Sequence, residues 1–365
     1  MDEVQLTQEL VRINSENPPG NEKEVAKYVY DFLDSLKIPV ELIEYDKGRF
    51  DVVASLGESN GLMMNSHMDT VPTGKIDDWK YDPFSGKIVG NKIYGRGTCD
   101  SKGNVATILS ALKNSAKSQF RRKLVVAIVG DEEVGFKGSN YLIENRREVF
   151  KDVKYGIVAD GDLELTIAQK GVIRLKVIFK GKAAHGSHPE KGVNAITKAT
   201  KFVEEINRLT DKLTVKKDTL LGRGTFNVGT ISGGTKVNIV PDYCAVGLDR
   251  RLTYGETPAY AIGQIKDILK RLKLDGKIEF DHEPRQAVKI SENSEIVKIL
   301  KASNLKIGKM SGYTEMELYY RKLGIECVTL GIGNYSAHTT NEYVKIPTLK
   351  KVRYILENAI KKWCL

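Results

Sequence analysis

The sequence predicts an α/β protein with a mainly parallel sheet covered by helices on both faces, interrupted by a second, α+β domain. Short apolar strands alternate with helical segments over residues 1–171, and such strands are typical of a parallel sheet buried on both faces. From about residue 171 the order of elements changes to βαββαβ, which is typical of a compact antiparallel sheet with two helices on one face.

Two helices open the chain. Apolar residues recur at helical spacing over 3–14 and 23–36, and a Pro-Pro-Gly break at 18–20 separates the two segments. Apolar runs bounded by glycine, asparagine or charged residues then predict strands. The strands predicted here are 40–45, 51–56, 61–66, 124–130 and 155–160, with helices at 102–114 and 138–147.

The second domain interrupts the first. Its predicted elements are a strand at 171–181, a helix at 193–209, strands at 225–231 and 243–252, a helix at 258–272 and a strand at 277–283. The first domain resumes with a helix near 293–304, a strand at 326–332 and a closing helix at 348–362. We therefore predict one domain formed by 1–171 and 288–365, and an inserted domain over 172–287.

Composition argues against several classes of protein. The 57 basic and 47 acidic side chains leave a charge of +10, but lysine is interspersed with acidic residues, so we expect solvated helix faces and no nucleic-acid partner. No apolar run approaches the roughly 18 residues that span a bilayer, and the N-terminus is acidic, so we expect no membrane partner and a cytoplasmic protein. The four cysteines show no CxxC spacing, which argues against a disulfide framework and a cysteine zinc site.

Metal-binding side chains occur in short polar segments. Of five histidines, His67 lies in SHMDTVPTG and His338 in SAHTTNEYV. The His-x-Asp pattern would allow Asp69 to hydrogen-bond the imidazole of His67 and fix its tautomer. Asp100, in IYGRGTCDSKGN, lies between a glycine-rich turn and a helix start, where it could bind a cation or only cap the helix.

Carboxylates also follow two apolar strands. GDEEVG (130–135) has three in a row, and burying such like charge without a cation is costly. One glutamate could bind the cation while its neighbour, with a raised pKa, accepts a proton. VADGD offers Asp160 or Asp162 as a further ligand, and the strand direction favours Asp160. Because strand ends of a parallel sheet share one edge, we expect these groups to line a single crevice.

Six motifs together resemble the dinuclear zinc amidohydrolases, which include acetylornithine deacetylase, succinyl-diaminopimelate desuccinylase, aminoacylase and glutamate carboxypeptidase. They are SHMDTVPTG, YGRGTCDSKGN, DEEVG, AHGSHPEKGVNAI, GGTKVNIVPD and SAHTTNEYV, in the family's order. The resemblance covers nearly the whole chain. It implies hydrolysis of an amide bond in a small acylated amino acid or short peptide.

The resemblance also implies two divalent metal ions, expected to be zinc, with cobalt and manganese as alternatives. It assigns His67 to the first metal, Asp100 to both, and Glu133 and His338 to the second. Asp69 would orient His67. Glu132 would be the general base that takes a proton from the attacking water.

The inserted domain resembles the family's lid and dimerisation domain, which implies a homodimer. His185 matches the histidine that stabilises the oxyanion in a partner subunit's site, the alternative being a surface turn histidine. Arg251 resembles the arginine that binds a substrate carboxylate, with Arg250 as the competing residue. Asn238 would add a polar substrate contact.

One departure leaves the substrate open. Many deacetylases and desuccinylases of the family have Glu-Pro where this chain has Ala159, Asp160 and Gly161. Aspartate there is more similar to the aminoacylase and dipeptidase branches. The two hypotheses are therefore an N-acyl-amino-acid deacylase and a metallopeptidase of dipeptidase or carboxypeptidase type. A non-catalytic binding protein is disfavoured because every position that the mechanism needs has a competent side chain.

Overall fold

The computed structural model describes residues 1–213 and 217–365. These residues form two compact units. The first unit contains Met1–Ile167, Ile290–Gly308 and Thr314–Leu365, and the second contains Ala168–Lys289 and Lys309–Tyr313. No helix in the described ranges is long and apolar enough to cross a lipid bilayer.

Helices occur in both units. They are α1 (Glu3–Arg12), α2 (Lys23–Ser35), α3 (Lys102–Ser115), α4 (Lys137–Asn145), α5 (Ala195–Lys212), α6 (Pro258–Arg271), α7 (Glu295–Lys301), α8 (Met316–Leu323) and α9 (Ile346–Trp363). Short 3₁₀ helices are found at Ile76–Asp78, Arg147–Phe150 and Pro189–Lys191.

Strands in the first half of the chain are β1 (Val40–Asp46), β2 (Arg49–Leu56), β3 (Gly61–His67), β4 (Lys87–Val89), β5 (Lys92–Tyr94), β6 (Leu124–Val129), β7 (Val153–Val158), β8 (Leu165–Gln169) and β9 (Gly171–Lys180). Those that follow are β10 (Lys217–Asp218), β11 (Gly222–Arg223), β12 (Thr225–Gly233), β13 (Tyr243–Leu252), β14 (Gly276–Phe280), β15 (Val288–Lys289), β16 (Ile307–Met310), β17 (Glu326–Thr329) and β18 (Tyr343–Lys345).

The main sheet of the first unit confirms the predicted α/β class. Its order is β1-β2-β6-β3-β7-β17-β8. The four central strands, β6, β3, β7 and β17, are parallel, and antiparallel neighbours extend the sheet at both edges. Strands β3 and β6 are buried along their whole length, as expected of strands covered on both faces. Their carboxyl ends meet at one edge of the sheet.

Helix α3 is the most buried helix of this unit and packs against α1 and α9. Helix α2 packs against β1 and β2, and α8 packs against β17. Helix α1 begins with a capping box, in which Asp2 accepts the N–H of Gln5 while the Gln5 side chain accepts the N–H of Asp2. These contacts surround the sheet with apolar helix faces and fix the strand ends.

Two parts of the first unit differ from the prediction. Strands β4, β5 and β18 form a separate antiparallel sheet, and three residues each were too few to show an alternating pattern. The strand predicted at 326–332 ends at Thr329, because the following backbone turns against the loop after β7. There the N–H of Gly331 donates to the carbonyl of Asp162, and a Cβ on Gly331 would lie 2.2 Å from the carbonyl oxygen of Gly161.

The second unit has the predicted βαββαβ order. Its four-stranded antiparallel sheet runs β12-β13-β9-β14. Helices α5 and α6 contribute to the same core as the sheet, where Phe202 of α5 and Ile265 of α6 belong to one buried cluster with Phe179 of β9. The two-residue strands β10 and β11 form a small ribbon that the sequence pattern did not predict.

Candidate metal centre

Imidazole and carboxylate groups meet at the carboxyl edge of the first unit's sheet. The Nε2 atom of His67 lies 3.0 Å from Oδ1 of Asp100. The Nε2 atom of His338 lies 3.1 Å from Oδ2 of Asp100 and 3.1 Å from Oε2 of Glu133. Asp100 therefore lies between the two histidines and directs one carboxylate oxygen to each.

Three groups of side chains have potential ligand atoms within 4.8 Å of one another. They are His67 with Asp100 and Asp160, His67 with Glu132 and Glu133, and Asp100 with Glu133 and His338. Asp100 belongs to the first and third groups, the arrangement that a bridging ligand between two ions requires. Asp162, the alternative to Asp160, is exposed and belongs to none of these groups.

These residues fit divalent metal ions. Two ligands that are each about 2.0–2.1 Å from a tetrahedral zinc ion lie about 3.3 Å apart, close to the 3.0 and 3.1 Å separations at Asp100. Imidazole nitrogen and carboxylate oxygen are ligands of hydrolytic zinc sites. Among the described residues, Oε1 of Glu133 is buried without a hydrogen-bond partner, which leaves an acceptor for a cation.

His67 is oriented for metal binding by the residue two positions later. Its Nδ1 atom lies 3.0 Å from the carbonyl oxygen of Asp69 and 3.4 Å from Oδ1 of the same residue. Both are acceptors, so Nδ1 donates toward Asp69, which leaves Nε2, on the Asp100 side, as the nitrogen that could bind a metal ion. His67 is the last residue of β3 and Asp69 is fully buried, so a rigid element holds the imidazole.

Asp69 also holds the turn that follows β6. Its two carboxylate oxygens accept the N–H groups of Glu132 and Glu133 at 3.1 and 3.2 Å. The turn begins at Asp131, which has a φ of 66°, in the left-handed region that is uncommon for residues other than glycine. One buried carboxylate thus fixes both an imidazole ligand and the backbone of the adjacent glutamates.

The charges of the cluster are unbalanced without a cation. Burial raises the pKa of the Glu132 carboxyl well above its ordinary value, and the negative charges of Glu315 and Glu133 add to that rise. Burial likewise raises the pKa of Glu133 to about 7 and that of Asp160 to about 6. Hydrogen bonds to Asp100 and Glu133 raise the pKa of His338 to about 10. A divalent ion would offset this excess of negative charge.

A second carboxylate, missed by the sequence analysis, fixes the loop that contains Asp100. Glu342 is fully buried and accepts the N–H groups of Gly97, Cys99 and Asp100 at 3.0, 2.8 and 3.2 Å. It also pairs with Arg96 at 2.7 Å. Glu342 lies within the quoted segment SAHTTNEYV, but nothing in its spacing indicated which backbone it would bind.

Further polar side chains near the site were not singled out from the sequence. Asn17 contacts the carboxylates of Asp69 and Asp131, and Arg49 contacts that of Asp131. Both carboxylate oxygens of Glu315 are buried without a hydrogen-bond partner among the described residues, and burial raises its pKa to about 7. Residues far apart in the sequence contribute to this shell, so motif spacing could not reveal it.

His185 and Asn238, two second-unit residues predicted to contact the substrate, lie in segments that contact each other. His185 is exposed, with Nδ1 2.7 Å from Oγ of Ser187. Its strand segment bridges to Ile239, and the N–H of Gly186 donates to the carbonyl of Asn238, so the two predicted segments are neighbours. None of these contacts tests the predicted roles of His185 and Asn238.

The two candidate arginines differ in burial. Arg251 binds both carboxylate oxygens of Asp249, at 2.7 and 3.1 Å, and its side chain is 24% exposed. Arg250 is fully buried, pairs with Glu256 at 2.5 Å and cannot reach a substrate in solution without rearrangement. The predicted substrate contact of Arg251 therefore competes with an internal partner.

Sequence comparison places the chain in a family of metal-dependent hydrolases. The profile of Peptidase family M20/M25/M40 matches residues 63–362, most of the chain. An uncharacterized metallohydrolase of Methanocaldococcus jannaschii is 31% identical over 409 aligned positions that cover 98% of both proteins. The chain belongs to Peptidase family M20/M25/M40.

Two further similarities agree with that assignment. Acetylornithine deacetylase of Proteus mirabilis is 26% identical, over 92% of this chain and 88% of that protein. The crystal structure of an M20 family metallo-carboxypeptidase from Sulfolobus solfataricus superposes with a TM-score of 0.84 at 24% identity, covering 100% of this chain and 99% of the other. The latter similarity establishes the shared fold.

Proposed function

We propose that the chain hydrolyses the amide bond of an N-acyl amino acid, with Glu132 as the general base. The observation that supports it most is the position of Glu132. Its ligand-type oxygen lies within 4.8 Å of those of His67 and Glu133, and its backbone is held by Asp69. Burial raises the pKa of its carboxyl group, and a raised pKa makes the carboxylate a better proton acceptor.

The residues then have separate tasks. We propose that His67, Asp100, Asp160, Glu133 and His338 hold two divalent ions, with Asp100 shared between them. Such ions, zinc in our proposal, supply Lewis acidity that activates water and polarises the substrate carbonyl. Glu132 takes the proton from the water as it attacks the carbonyl carbon. Glu132 then delivers the proton to the amine nitrogen as the C–N bond breaks.

The roles that we propose for residues of the second unit are based on the resemblance to the dinuclear zinc amidohydrolases. We propose that Arg251 binds a free carboxylate of the substrate, that Asn238 adds a polar contact and that His185 stabilises the oxyanion in a homodimer. The deacylase assignment is supported by the similarity to acetylornithine deacetylase of Proteus mirabilis.

A peptidase is the second candidate function. Asp160 occupies the position where the resemblance associates aspartate with aminoacylases and dipeptidases, and the matching family is named for peptidases. A dipeptidase or carboxypeptidase would use the same metal ligands and the same base. The two candidates differ only in whether an acyl group or an amino acid lies on the carbonyl side of the cleaved bond.

The test is amine release by the zinc-loaded protein from acetyl and succinyl amino acids and from dipeptides. Glu132→Gln is assayed in parallel, with Glu148→Gln, an exposed glutamate paired with Arg146, as the matched control. We expect metal-dependent hydrolysis that Glu132→Gln reduces by about 10²–10⁴-fold in kcat and Glu148→Gln leaves unchanged. Faster turnover of dipeptides would favour the peptidase, and full activity of Glu132→Gln would reject the general base.

A further inference from the structure

The side-chain amide of Asn17 joins two buried carboxylates behind the metal centre. Its Nδ2 atom donates to Oδ2 of Asp69 at 2.9 Å and to Oδ1 of Asp131 at 3.1 Å. Asn17 is 3% exposed, and its backbone N–H donates to the carbonyl of Thr70 at 2.8 Å. Both hydrogens of the amide are therefore used, and the backbone fixes where they point.

Arg49 binds the same oxygen of Asp131 from another direction. Its Nη1 atom donates to Oδ1 of Asp131 at 2.8 Å, and its Nε atom donates to Glu22 at 3.0 Å. The second oxygen of Asp131 accepts the N–H of Lys137 at 3.1 Å. The Arg49 side chain is 11% exposed and Glu22 is fully buried, so water competes little for these contacts.

The two carboxylates that Asn17 joins hold opposite sides of one turn. The carboxylate of Asp69 accepts the N–H groups of Glu132 and Glu133, and the carboxylate of Asp131 accepts the N–H of Lys137 at 3.1 Å. Asp131 has a left-handed φ of 66°, which costs energy and persists only where the surroundings impose it. The contacts of its side chain supply that restraint.

We infer that Asn17 and Arg49 are positioning residues for Glu132, acting through Asp69 and Asp131. The inference rests on the proposed role of Glu132 as the base. The carboxylates that the two residues contact, Asp69, Asp131 and Glu22, belong to none of the three groups of potential metal ligands. Displacement of a reacting group by about 1 Å can cost 10²-fold in rate, so loss of the restraint should lower kcat while substrate binding remains.

The chemistry of Asn17 explains why an amide suits this position. Asp69, Asp131 and Glu22 are three buried carboxylates, and Arg49 binds two of them. An amide adds two donors without adding charge, whereas an aspartate of the same size would add a negative charge and remove both donors. Asn17→Asp should therefore be at least as damaging as Asn17→Ala.

The experiment compares kcat and KM at saturating zinc. We expect Asn17→Ala to lower kcat by about 100-fold with KM within about 3-fold of wild type. Arg49→Lys keeps a charge for Asp131 but loses the planar fork, so we expect a smaller loss of about 10-fold. Asn21→Ala, at an exposed asparagine four residues along the chain, is the matched control and should retain wild-type kcat.

A double variant tests whether Asn17 acts through Glu132. If it does, Asn17→Ala should lower the residual kcat of Glu132→Gln by less than about 3-fold, because the base that it positions is already absent. An undiminished 100-fold loss in that background would overturn the inference in favour of a general structural role. Thermal unfolding of each variant shows whether it folds. If Asn17→Ala does not fold, the kcat of Arg49→Lys is compared in the same two backgrounds.

The outcomes separate this inference from the proposed function. Wild-type kcat in both Asn17→Ala and Arg49→Lys, with Glu132→Gln inactive, would overturn the positioning role alone. Wild-type kcat in Glu132→Gln would reject the proposed base, and with it the inference.

Discussion

Glu342 accepts the N–H of Asp100 at 3.2 Å, although the two residues are 242 positions apart. Glu342 follows His338 by four residues, so the loop that contains one candidate imidazole ligand also binds the backbone of Asp100. The same side chain pairs with Arg96, which is 2% exposed. A buried carboxylate with an arginine and three backbone donors is well satisfied, and replacing one of its oxygens with an amide nitrogen would leave part of this donor set unpaired.

Glu342→Gln should destabilise the first unit and weaken metal binding. The substitution leaves the Arg96 guanidinium buried without its counterion, and breaking such a pair costs about 3–5 kcal/mol in the free energy of unfolding. Loosening of the Asp100 loop should lower zinc affinity by about 10–100-fold. Urea unfolding and competition with a chromophoric chelator measure the two effects, with Glu9→Gln, at a side chain that is 42% exposed, as control. An unfolding free energy within about 0.5 kcal/mol of wild type would contradict the assignment.

Zinc affinity should rise with pH between about 6 and 9. In the metal-free protein, hydrogen bonds to Asp100 and Glu133 raise the pKa of His338 to about 10, so its imidazole holds a proton at neutral pH. A histidine binds metal only in its neutral form, so each ion that binds there must displace that proton. Affinity should increase about tenfold per pH unit for each proton released.

Calorimetry in buffers of different ionisation enthalpy counts the released protons directly. We expect about one proton or more per pair of ions at pH 7 for the wild type, and fewer for His338→Gln. Metal binding without proton release in the wild type would show that His338 is already neutral, or not a ligand.

Much of this architecture could be predicted because the hydrophobic pattern is strong. Strand β6, predicted at 124–130, and helix α3, predicted at 102–114, occupy nearly the expected ranges because both are apolar and bounded by polar residues. Strands β4 and β5, by contrast, are three residues long, and β18, which pairs with β5, lies about 250 positions later. Local patterns do not report such pairings.

The residues of the candidate site also fall into those that local sequence patterns predict and those that they do not. His67, Asp100, Glu133 and His338 belong to short segments with metal-type side chains, and the structure brings them together. Asp69 was predicted to orient His67, but Glu342, Asn17 and Arg49 were missed because their partners are distant in sequence and are often backbone atoms. Asn17 directly precedes the Pro-Pro-Gly break at 18–20, yet its amide reaches a carboxylate 114 positions away.

Substitution of Arg251 should raise KM only for substrates that have a free carboxylate. Arg251→Ala should raise KM for an N-acyl amino acid by about 10–100-fold, the effect of losing a hydrogen bond to a charged group, and leave KM for the matching carboxamide within about 3-fold. Arg251 and Arg174 both bind Asp249, so Arg174→Ala disturbs the same partner without removing the proposed contact. An equal rise in KM for acid and amide, or for both variants, would assign Arg251 to internal pairing with Asp249.

Because of Lys102, the free energy of unfolding of the first unit should increase as the pH rises from about 7 toward 10. Its ammonium group is fully buried and donates to the carbonyl of Ile13. Burial lowers its pKa to about 7, whereas in the unfolded chain the pKa is about 10.4. Within this window the unfolded chain binds one more proton than the folded protein, so the free energy of unfolding increases by up to about 1.4 kcal/mol per pH unit. Below pH 7 both states are protonated and the dependence disappears.

Lys102→Met removes this titration and keeps an unbranched apolar side chain, so its unfolding free energy should lack the rise that the wild type shows between pH 7 and 9.5. Other groups titrate in the same range, but they are common to both proteins, and the difference between the two slopes isolates Lys102. Urea unfolding at half-unit pH intervals, in the presence of chelator, gives both slopes. Lys117→Met, at an exposed lysine, should retain the wild-type slope. Parallel slopes for the wild type and Lys102→Met would mean that Lys102 stays charged in the folded protein.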